Sequence, residues 1–182
     1  MSGFVIDRGC GARLDASDRA AIDDIFFTAS KTSSFPSAQA RADFHDRWLG
    51  RYLRHDTDWF SVARTLDGDI AGYLAGAIDD PAAAPRFADI GYFAALAPVT
   101  VRFPAHLHVN VRADLRARGI GAALIGAFAA DAAAAGAVGL HVVTGHDSRN
   151  VAFYMRHGFD PLVGLSWNGA RILMLGRRLS RT

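Results

Sequence analysis

The chain has 182 residues, of which 51% are hydrophobic, and a formal net charge of +2 at pH 7. That length fits a single domain with one sizeable core, so we expect residues 1–182 to form one domain. No apolar run approaches the roughly 18–20 residues of a membrane span, and no signal peptide is evident. The lone Cys10 excludes an internal disulfide and predicts a reducing, cytoplasmic location. Basic residues are dispersed among acidic ones, so we expect neither a nucleic acid nor a membrane as partner.

The N-terminal part predicts a short strand and then two helices. Residues 4–6 are an apolar strand candidate, and residues 15–18 offer capping side chains ahead of a helical face. A second helix is predicted from about residue 38 to residue 54, where aromatic residues recur at helical spacing.

A hairpin and an insertion follow. Residues 59–64 and 70–77 read as strands, and Asp67-Gly68 between them is a strong hairpin signal. Residues 79–104 hold several prolines around an apolar stretch. We expect a loop with a helical insertion there, contributing to a ligand pocket or to a homodimer contact.

The C-terminal half alternates strands and helices. The predicted elements are a strand at 106–111, a helix at 119–135, a strand at 138–144, a helix at 148–157, and strands at 162–167 and 172–177. Asn168-Gly169 predicts a hairpin turn between the last two strands. The whole order predicts a three-layer α/β domain with a mixed sheet.

The most informative segment, residues 111–124, joins a strand to a helix and contains Arg116-x-x-Gly119-x-Gly121. Glycines let a phosphate approach the backbone, and the first N–H groups of the helix point outward. The sequence therefore predicts a pyrophosphate cradle.

Two common phosphate motifs fit this segment poorly. A P-loop ends in Gly-Lys-Ser/Thr, and Lys31 is the only lysine of the chain. A dinucleotide-binding fingerprint requires a third glycine where Leu124 stands, and here seven residues separate Val111 from Gly119.

A family resemblance offers a third interpretation. The turn with Arg116, Gly119 and Gly121 resembles the acetyl-CoA-binding signature of the GNAT N-acetyltransferases. Residues 150–154 (NVAFY) and 158–159 (GF) resemble that family's "N-x-A-x-x-F/Y-Y…G-F" segment, with one residue fewer before the aromatic pair. The resemblance implies the GNAT fold, a mixed and mostly antiparallel sheet flanked by helices, with two splayed central parallel strands.

Residues 103–109 and 139–142 resemble a narrower GNAT subgroup. It comprises the acetyltransferase-like C-terminal domain of O-GlcNAcase and its stand-alone bacterial relatives. Members often carry an acidic residue where Asn110 stands, so the base role of that acid cannot be carried over. The resemblance implies acetyl-CoA as cosubstrate, no metal, and direct acetyl transfer to an amine acceptor, either a small molecule or a protein lysine. A catalytically silent GNAT-like domain that binds acetyl-CoA or a partner is the alternative, since the O-GlcNAcase domain is doubtful as an enzyme.

The same resemblance assigns the acetyl-CoA contacts. The Val109 N–H would meet the acetyl oxygen, and Val111 would pair with pantetheine as a pseudo-strand. Asn150 would either contact CoA or cap its helix. The turn contributes Arg116, Arg118, Gly119, Ile120, Gly121 and Ala122.

The residues with catalytic potential are Tyr154 and three histidines. By the resemblance, Tyr154 stands where an acid protonates the departing CoA thiolate, since a phenol with a pKa of ~10 can supply that proton. A core tyrosine beside Phe153 is the alternative. By alternation, His106 and His108 share one strand face, and His141 lies on the neighbouring strand.

His108 is the candidate general base, acting directly or through water. Structural histidines inside the sheet are the competing interpretation for all three. A His-x-His spacing also admits a metal, but no carboxylate or cysteine with ligand spacing joins them. Cys10 is far from these motifs in sequence, so no acetyl-cysteine intermediate is expected. Aromatic residues are mainly core candidates, some of which can line an acceptor pocket: Phe26, Phe27, Phe35, Trp48, Tyr52 and Trp59.

Overall fold

The structure is a computed structural model that describes residues 3–30, 32 and 34–180. Its helices and strands follow the predicted order. They are β1 (Phe4–Asp7), α1 (Ala16–Ala29), α2 (Ala38–His45), a π-helical segment (Asp46–Gly50), α3 (Arg51–His55), β2 (Phe60–Thr65), β3 (Ile70–Ala77), α4 (Tyr92–Thr100), β4 (Ala105–Val111), α5 (Ile120–Ala134), β5 (Gly139–Gly145), α6 (Arg149–Arg156), β6 (Asp160–Trp167) and β7 (Ala170–Arg178). Within the described ranges, no helix has the length and apolarity needed to cross a bilayer.

The strands form one mixed sheet in the order β1-β2-β3-β4-β5-β7-β6. The pair β4 and β5 is parallel, with Ala105 opposite Leu140 and His106 opposite His141. The pairs β1–β2, β2–β3, β5–β7 and β6–β7 are antiparallel. The predicted mixed sheet with a central parallel pair is confirmed.

The chain divides into two compact units. The first comprises residues 1–77 and 108–128, and the second comprises residues 78–107 and 129–182. The strand β4 and the helix α5 each contribute residues to both units.

In the first unit, α1 lies against β3. Its buried side chains are Ile22, Ile25 and Phe26. The helix begins after Asp15, as predicted, because the Asp15 carboxylate accepts a hydrogen bond from the Asp18 N–H.

The second predicted helix is interrupted. The helix α2 starts after Ser37, whose hydroxyl accepts a hydrogen bond from the Ala40 N–H. A π-helical segment then separates α2 from α3. Such segments are rare in proteins, and those that occur often lie at functional sites. The extra residue per turn rotates the side chains that follow, so a simple i, i+4 pattern does not describe this helix.

In the second unit, the predicted insertion at residues 79–104 contains α4, which packs against β6. The ring of Tyr92 on α4 lies edge-on to Trp167, with centroids 5.0 Å apart. At the β6–β7 turn, Asn168 and Gly169 have φ values of 47° and 76°. Positive φ at both central residues is the geometry that Asn-Gly favours, so the predicted hairpin is confirmed.

Candidate active site

The turn before α5 has the backbone geometry of a cradle. Ala117 and Gly119 both adopt positive φ values, 61° and 83°. A Cβ built on Gly119 would meet no atom within 4 Å, so the space in front of this glycine is open. A ligand can therefore reach the backbone at this position.

The first turn of α5 presents backbone donors to that open space. Its first helical hydrogen bond joins the Ala123 N–H to the Gly119 carbonyl at 3.0 Å. The N–H groups of Ile120, Gly121 and Ala122 consequently have no carbonyl of the helix to bond. No acidic residue stands in this first turn. Together with the helix dipole, these donors make an anion site.

The two arginines of the turn differ in their contacts. The Arg116 Nε donates to the Val111 carbonyl at 3.4 Å, which ties the turn back to the end of β4. Arg118 is exposed and makes no hydrogen bond or ion pair with a residue that the structure describes. Its guanidinium is therefore available to a phosphate.

His108 lies in the first unit, half-buried on β4. Its ring is edge-on to Trp48, with centroids 5.4 Å apart, and edge-on to Tyr52 at 5.5 Å. Trp48 belongs to the π-helical segment and Tyr52 to α3. The interrupted helix thus supplies the aromatic surroundings of the candidate base.

Asn110, two residues further along β4, donates from Nδ2 to the Tyr73 hydroxyl at 2.8 Å. Burial raises the pKa of Tyr73, the Asn110 hydrogen bond lowers it, and the Asp23 carboxylate raises it further. The Asp23 carboxylate is therefore within electrostatic reach of the Tyr73 hydroxyl.

Asp23 and His45 form a pair that the sequence did not reveal. The His45 Nε2 lies 2.7 Å from an Asp23 carboxylate oxygen. Because a carboxylate can only accept, Nε2 carries the proton. The His45 ring stacks on Phe27 at 5.9 Å and lies edge-on to Phe26 at 5.6 Å. On α1, Asp23 reads as an ordinary solvated acid, and only the fold brings it to a residue 22 positions away.

A cleft of about 560 Å³ opens between the end of α1 and the start of α2. The lining includes Phe27, Phe35 and Arg41. The Arg41 guanidinium lies over the Phe27 ring, 3.6 Å from its centroid. Among the described residues, no carboxylate forms an ion pair with Arg41.

Tyr154 lies in the second unit, on α6, with 7% of its surface exposed. Its ring packs edge-on against Phe153 and Phe159, each with a centroid separation of 5.4 Å. No described residue hydrogen-bonds to its hydroxyl. Burial raises the pKa of Tyr154 to about 12, so the phenol stays protonated at neutral pH.

The capping interpretation of Asn150 is wrong. Ser148 is the N-cap of α6, and its hydroxyl accepts a hydrogen bond from the Asn150 N–H at 3.2 Å. Asn150 lies inside the first turn, and its exposed side chain makes no hydrogen bond to a described residue. The CoA-contact interpretation of Asn150 stays a prediction.

His106 and His141 meet in the second unit, as the strand pairing predicted. Their rings stack with centroids 5.5 Å apart, and both residues are buried. The His141 Nδ1 donates to the Phe103 carbonyl at 2.5 Å. Burial lowers the pKa of His141 to about 4, so this histidine is neutral in the fold. Across the described residues, no group of His, Cys, Asp and Glu has an arrangement that would hold a metal.

Cys10 lies in the first unit with its thiol buried. The Sγ is 3.6 Å from the Phe60 carbonyl. Burial, reinforced by Asp7, raises the pKa of Cys10 to about 11. A thiol in this state is a poor nucleophile at neutral pH.

The sequence of the chain matches the profile of a known family. The sequence profile of the Acetyltransferase (GNAT) family matches residues 22–159. No curated protein matches the chain in sequence.

Solved structures share its fold. The structure named SsHAT is 21% identical over 97% of this chain and 98% of that one, with a TM-score of 0.73. Naa20 of Chaetomium thermophilum, in complex with a bisubstrate analogue, is 20% identical over 98% of this chain and 87% of that one, with a TM-score of 0.62. An N-acetyltransferase from Staphylococcus aureus Mu50 is 15% identical over 98% of this chain and 100% of that one, with a TM-score of 0.66.

Proposed function

The chain belongs to the GNAT acetyltransferase family, and on that premise we propose that it is an acetyl-CoA-dependent N-acetyltransferase. The acceptor nitrogen attacks the carbonyl carbon of the thioester, so that a C–N bond forms and the C–S bond breaks. The amine gives its proton to a base, and the CoA thiolate receives one from an acid. The observation that carries the proposal is the open, donor-lined turn at Gly119.

Acetyl-CoA is held mainly by backbone groups in this proposal. The N–H groups of Ile120, Gly121 and Ala122 meet the pyrophosphate, with the exposed Arg118 side chain beside them. Arg116 acts mainly on the turn itself, because its side chain already bonds to Val111.

The remaining contacts follow from the family resemblance. The Val109 N–H polarises the acetyl carbonyl, and Val111 pairs with pantetheine. Asn150 contacts CoA from the first turn of α6. Its free side-chain amide is consistent with that role.

Tyr154 is the proposed acid and His108 the proposed base. The Tyr154 hydroxyl is protonated at neutral pH and makes no hydrogen bond to a described residue, so its proton can go to the thiolate. His108 is half-buried among aromatic rings, where an imidazole can take a proton from the amine. The buried Cys10 supports direct transfer without an acetyl-cysteine intermediate.

The names of the structural neighbours are consistent with this activity, since one is an N-acetyltransferase by name. The narrower relation to the acetyltransferase-like domain of O-GlcNAcase and its bacterial relatives rests on residues 103–109 and 139–142. We also propose a cytoplasmic location.

The second candidate function is a silent domain that binds acetyl-CoA or a partner without transfer. Asn110 favours it, because an amide stands where the resembling subgroup often has an acid and its Nδ2 is engaged with Tyr73. The two functions differ in one observable, the release of CoA in the presence of an amine.

The test is acetyl-CoA binding to Gly119→Glu, measured by calorimetry. The new side chain places bulk and negative charge where the pyrophosphate lies, so we expect affinity to fall by at least about 100-fold. Gly68→Glu is the matched control, since Gly68 also has a positive φ, 94°, and open space around it. Both variants carry similar backbone strain, and Gly68→Glu keeps its affinity. A folded Gly119→Glu protein that binds acetyl-CoA normally would overturn the cradle.

A further inference from the structure

The cleft between α1 and α2 combines aromatic rings with a single positive charge. Its volume of about 560 Å³ is in the range of small-molecule sites. Phe27 and Phe35 both line it, with ring centroids 6.2 Å apart and ring planes at 85° to each other. Both residues are half-buried, so each ring keeps an exposed part. An aromatic or aliphatic ligand body can therefore rest on these two rings.

Arg41 supplies the positive charge of the cleft. Its guanidinium lies over the Phe27 ring, 3.6 Å from the centroid. Contact with the ring face restrains the guanidinium and leaves its N–H groups able to bond to a ligand. The side chain is exposed and forms no ion pair with a described residue. The cleft thus offers a cation that no described carboxylate neutralises.

Acidic side chains are kept out of the cleft. Among the described residues that line it, none is acidic. On α1, the Asp23 carboxylate is hydrogen-bonded to His45. On α2, the Asp43 carboxylate accepts a hydrogen bond from the Gln39 Nε2 at 2.7 Å. A negatively charged ligand in the cleft therefore meets Arg41 without meeting a carboxylate of the lining.

A second donor stands beside Arg41 at the start of α2. Ser37 lies four residues before Arg41, so the two side chains share one face, and both line the cleft. The Ser37 hydroxyl accepts a hydrogen bond from the Ala40 N–H at 3.0 Å, which leaves its own proton free to donate. One guanidinium and one hydroxyl match a carboxylate, which has a single negative charge and two accepting oxygens.

We infer that this cleft binds a small organic carboxylate with an aromatic or apolar body. Arg41 pairs with the carboxylate, Ser37 donates a second hydrogen bond, and the rings of Phe27 and Phe35 contact the body. The inference goes beyond the proposed function and does not depend on it. None of these residues belongs to the turn before α5 or to the proposed catalytic pair.

The test is a titration of 3-phenylpropionate into the protein without acetyl-CoA, followed by calorimetry and by the NMR shifts of backbone amides. Two related probes separate the contributions. 3-Phenylpropanamide keeps the shape and lacks the charge, whereas acetate keeps the charge and lacks the ring. We expect 3-phenylpropionate to bind at least about tenfold more tightly than either. The amides of residues 37–41 should shift on binding.

Arg41→Gln should weaken 3-phenylpropionate binding by about tenfold and leave the binding of 3-phenylpropanamide unchanged. Arg118→Gln is the matched control, because Arg118 is also exposed and without an ion pair to a described residue. It removes the same charge from the turn before α5, the other anion site. Thermal unfolding of both variants checks that the fold is kept.

Four results would overturn the inference. They are no saturable binding of 3-phenylpropionate below about 10 mM, equal affinity for carboxylate and amide, unchanged affinity in Arg41→Gln, and a loss of affinity in Arg118→Gln instead. None of them bears on acetyl-CoA binding, which the Gly119→Glu variant tests separately. Conversely, a protein that fails to bind acetyl-CoA or to release CoA can still bind 3-phenylpropionate through Arg41.

Discussion

The Nδ2 of Asn110 donates to the buried hydroxyl of Tyr73 across 2.8 Å, joining residues 37 positions apart in the sequence. Tyr73 is fully buried, so without this partner its hydroxyl would lie in the core with one hydrogen bond fewer. The pair consequently contributes to the stability of the core.

We expect Asn110→Leu to lower the free energy of unfolding by about 1–3 kcal/mol, because the Tyr73 hydroxyl loses its partner. Asn110→Asp should cost less, since Tyr73 can then donate to the new carboxylate. Urea denaturation of the single variants and of Asn110→Leu combined with Tyr73→Phe measures the coupling. If the two single losses simply add in the double variant, the hydrogen bond contributes nothing.

Tyr154→Phe should lower kcat on the order of 10²-fold once an acceptor is known, with acetyl-CoA affinity unchanged. The phenylalanine ring retains the contacts with Phe153 and Phe159, so the folded structure is kept. Because the pKa of Tyr154 is about 12, the loss should be the same across neutral pH. Steady-state kinetics and calorimetry separate the two effects.

Tyr92→Phe is the matched control for that experiment. Tyr92 is also a buried tyrosine, and burial raises its pKa as well. Its ring packs against Phe93 and Trp167, neither of which belongs to the family's motif segments. A full-rate Tyr154→Phe enzyme would assign the proton donation to water or to another residue.

His108→Gln should remove a basic limb from the pH profile of kcat/KM. If His108 takes the proton of the amine, the rate rises with pH as the imidazole loses its proton, and it levels off once the imidazole is neutral. His55→Gln, on the exposed end of α3, should keep that limb. A limb that persists in His108→Gln belongs to the acceptor or to another group, and His108 is then a structural histidine.

Local sequence signals predicted the backbone of this protein well. Asn168-Gly169 forms the expected hairpin, and Gly119 adopts a positive φ, a conformation that favours glycine. Both depend on the conformational preferences of a few adjacent residues, which the sequence displays directly.

Features that depend on distant residues were not predicted. The π-helical segment inserts an extra residue where the pattern predicted a regular helix, and it carries the Trp48 ring that contacts His108. The Asp23–His45 pair joins two helices, and neither residue carries a local signal of its partner. Side-chain pairing across elements is set by packing, which a single sequence does not encode in its spacing.

His141 provides a prediction about acid stability. Its Nδ1–H donates a hydrogen bond to the Phe103 carbonyl, and its buried Nε2 accepts no hydrogen bond from a described residue. The neighbouring ring is that of His106. The Asp80 carboxylate raises the pKa of His141 electrostatically, but burial lowers it by more. The folded-state pKa, about 4, lies below the ordinary imidazole value, so the unfolded chain binds the proton more readily.

Stability from the neutral His141 is therefore complete above about pH 6.5 and is lost as the pH falls toward 4, by about 3 kcal/mol in total. Urea denaturation between pH 7 and pH 4 measures this loss for wild type and for His141→Gln, whose amide can still donate to Phe103 but does not titrate. At pH 7 the variant is expected to have a lower free energy of unfolding than wild type. Between pH 7 and pH 4 its free energy of unfolding should fall by about 3 kcal/mol less than that of wild type. His55→Gln should decline as wild type does, because His55 is exposed. Parallel declines for wild type and His141→Gln would mean that other groups control the acid sensitivity. His141 would then have the same proton affinity in the folded protein as in the unfolded chain.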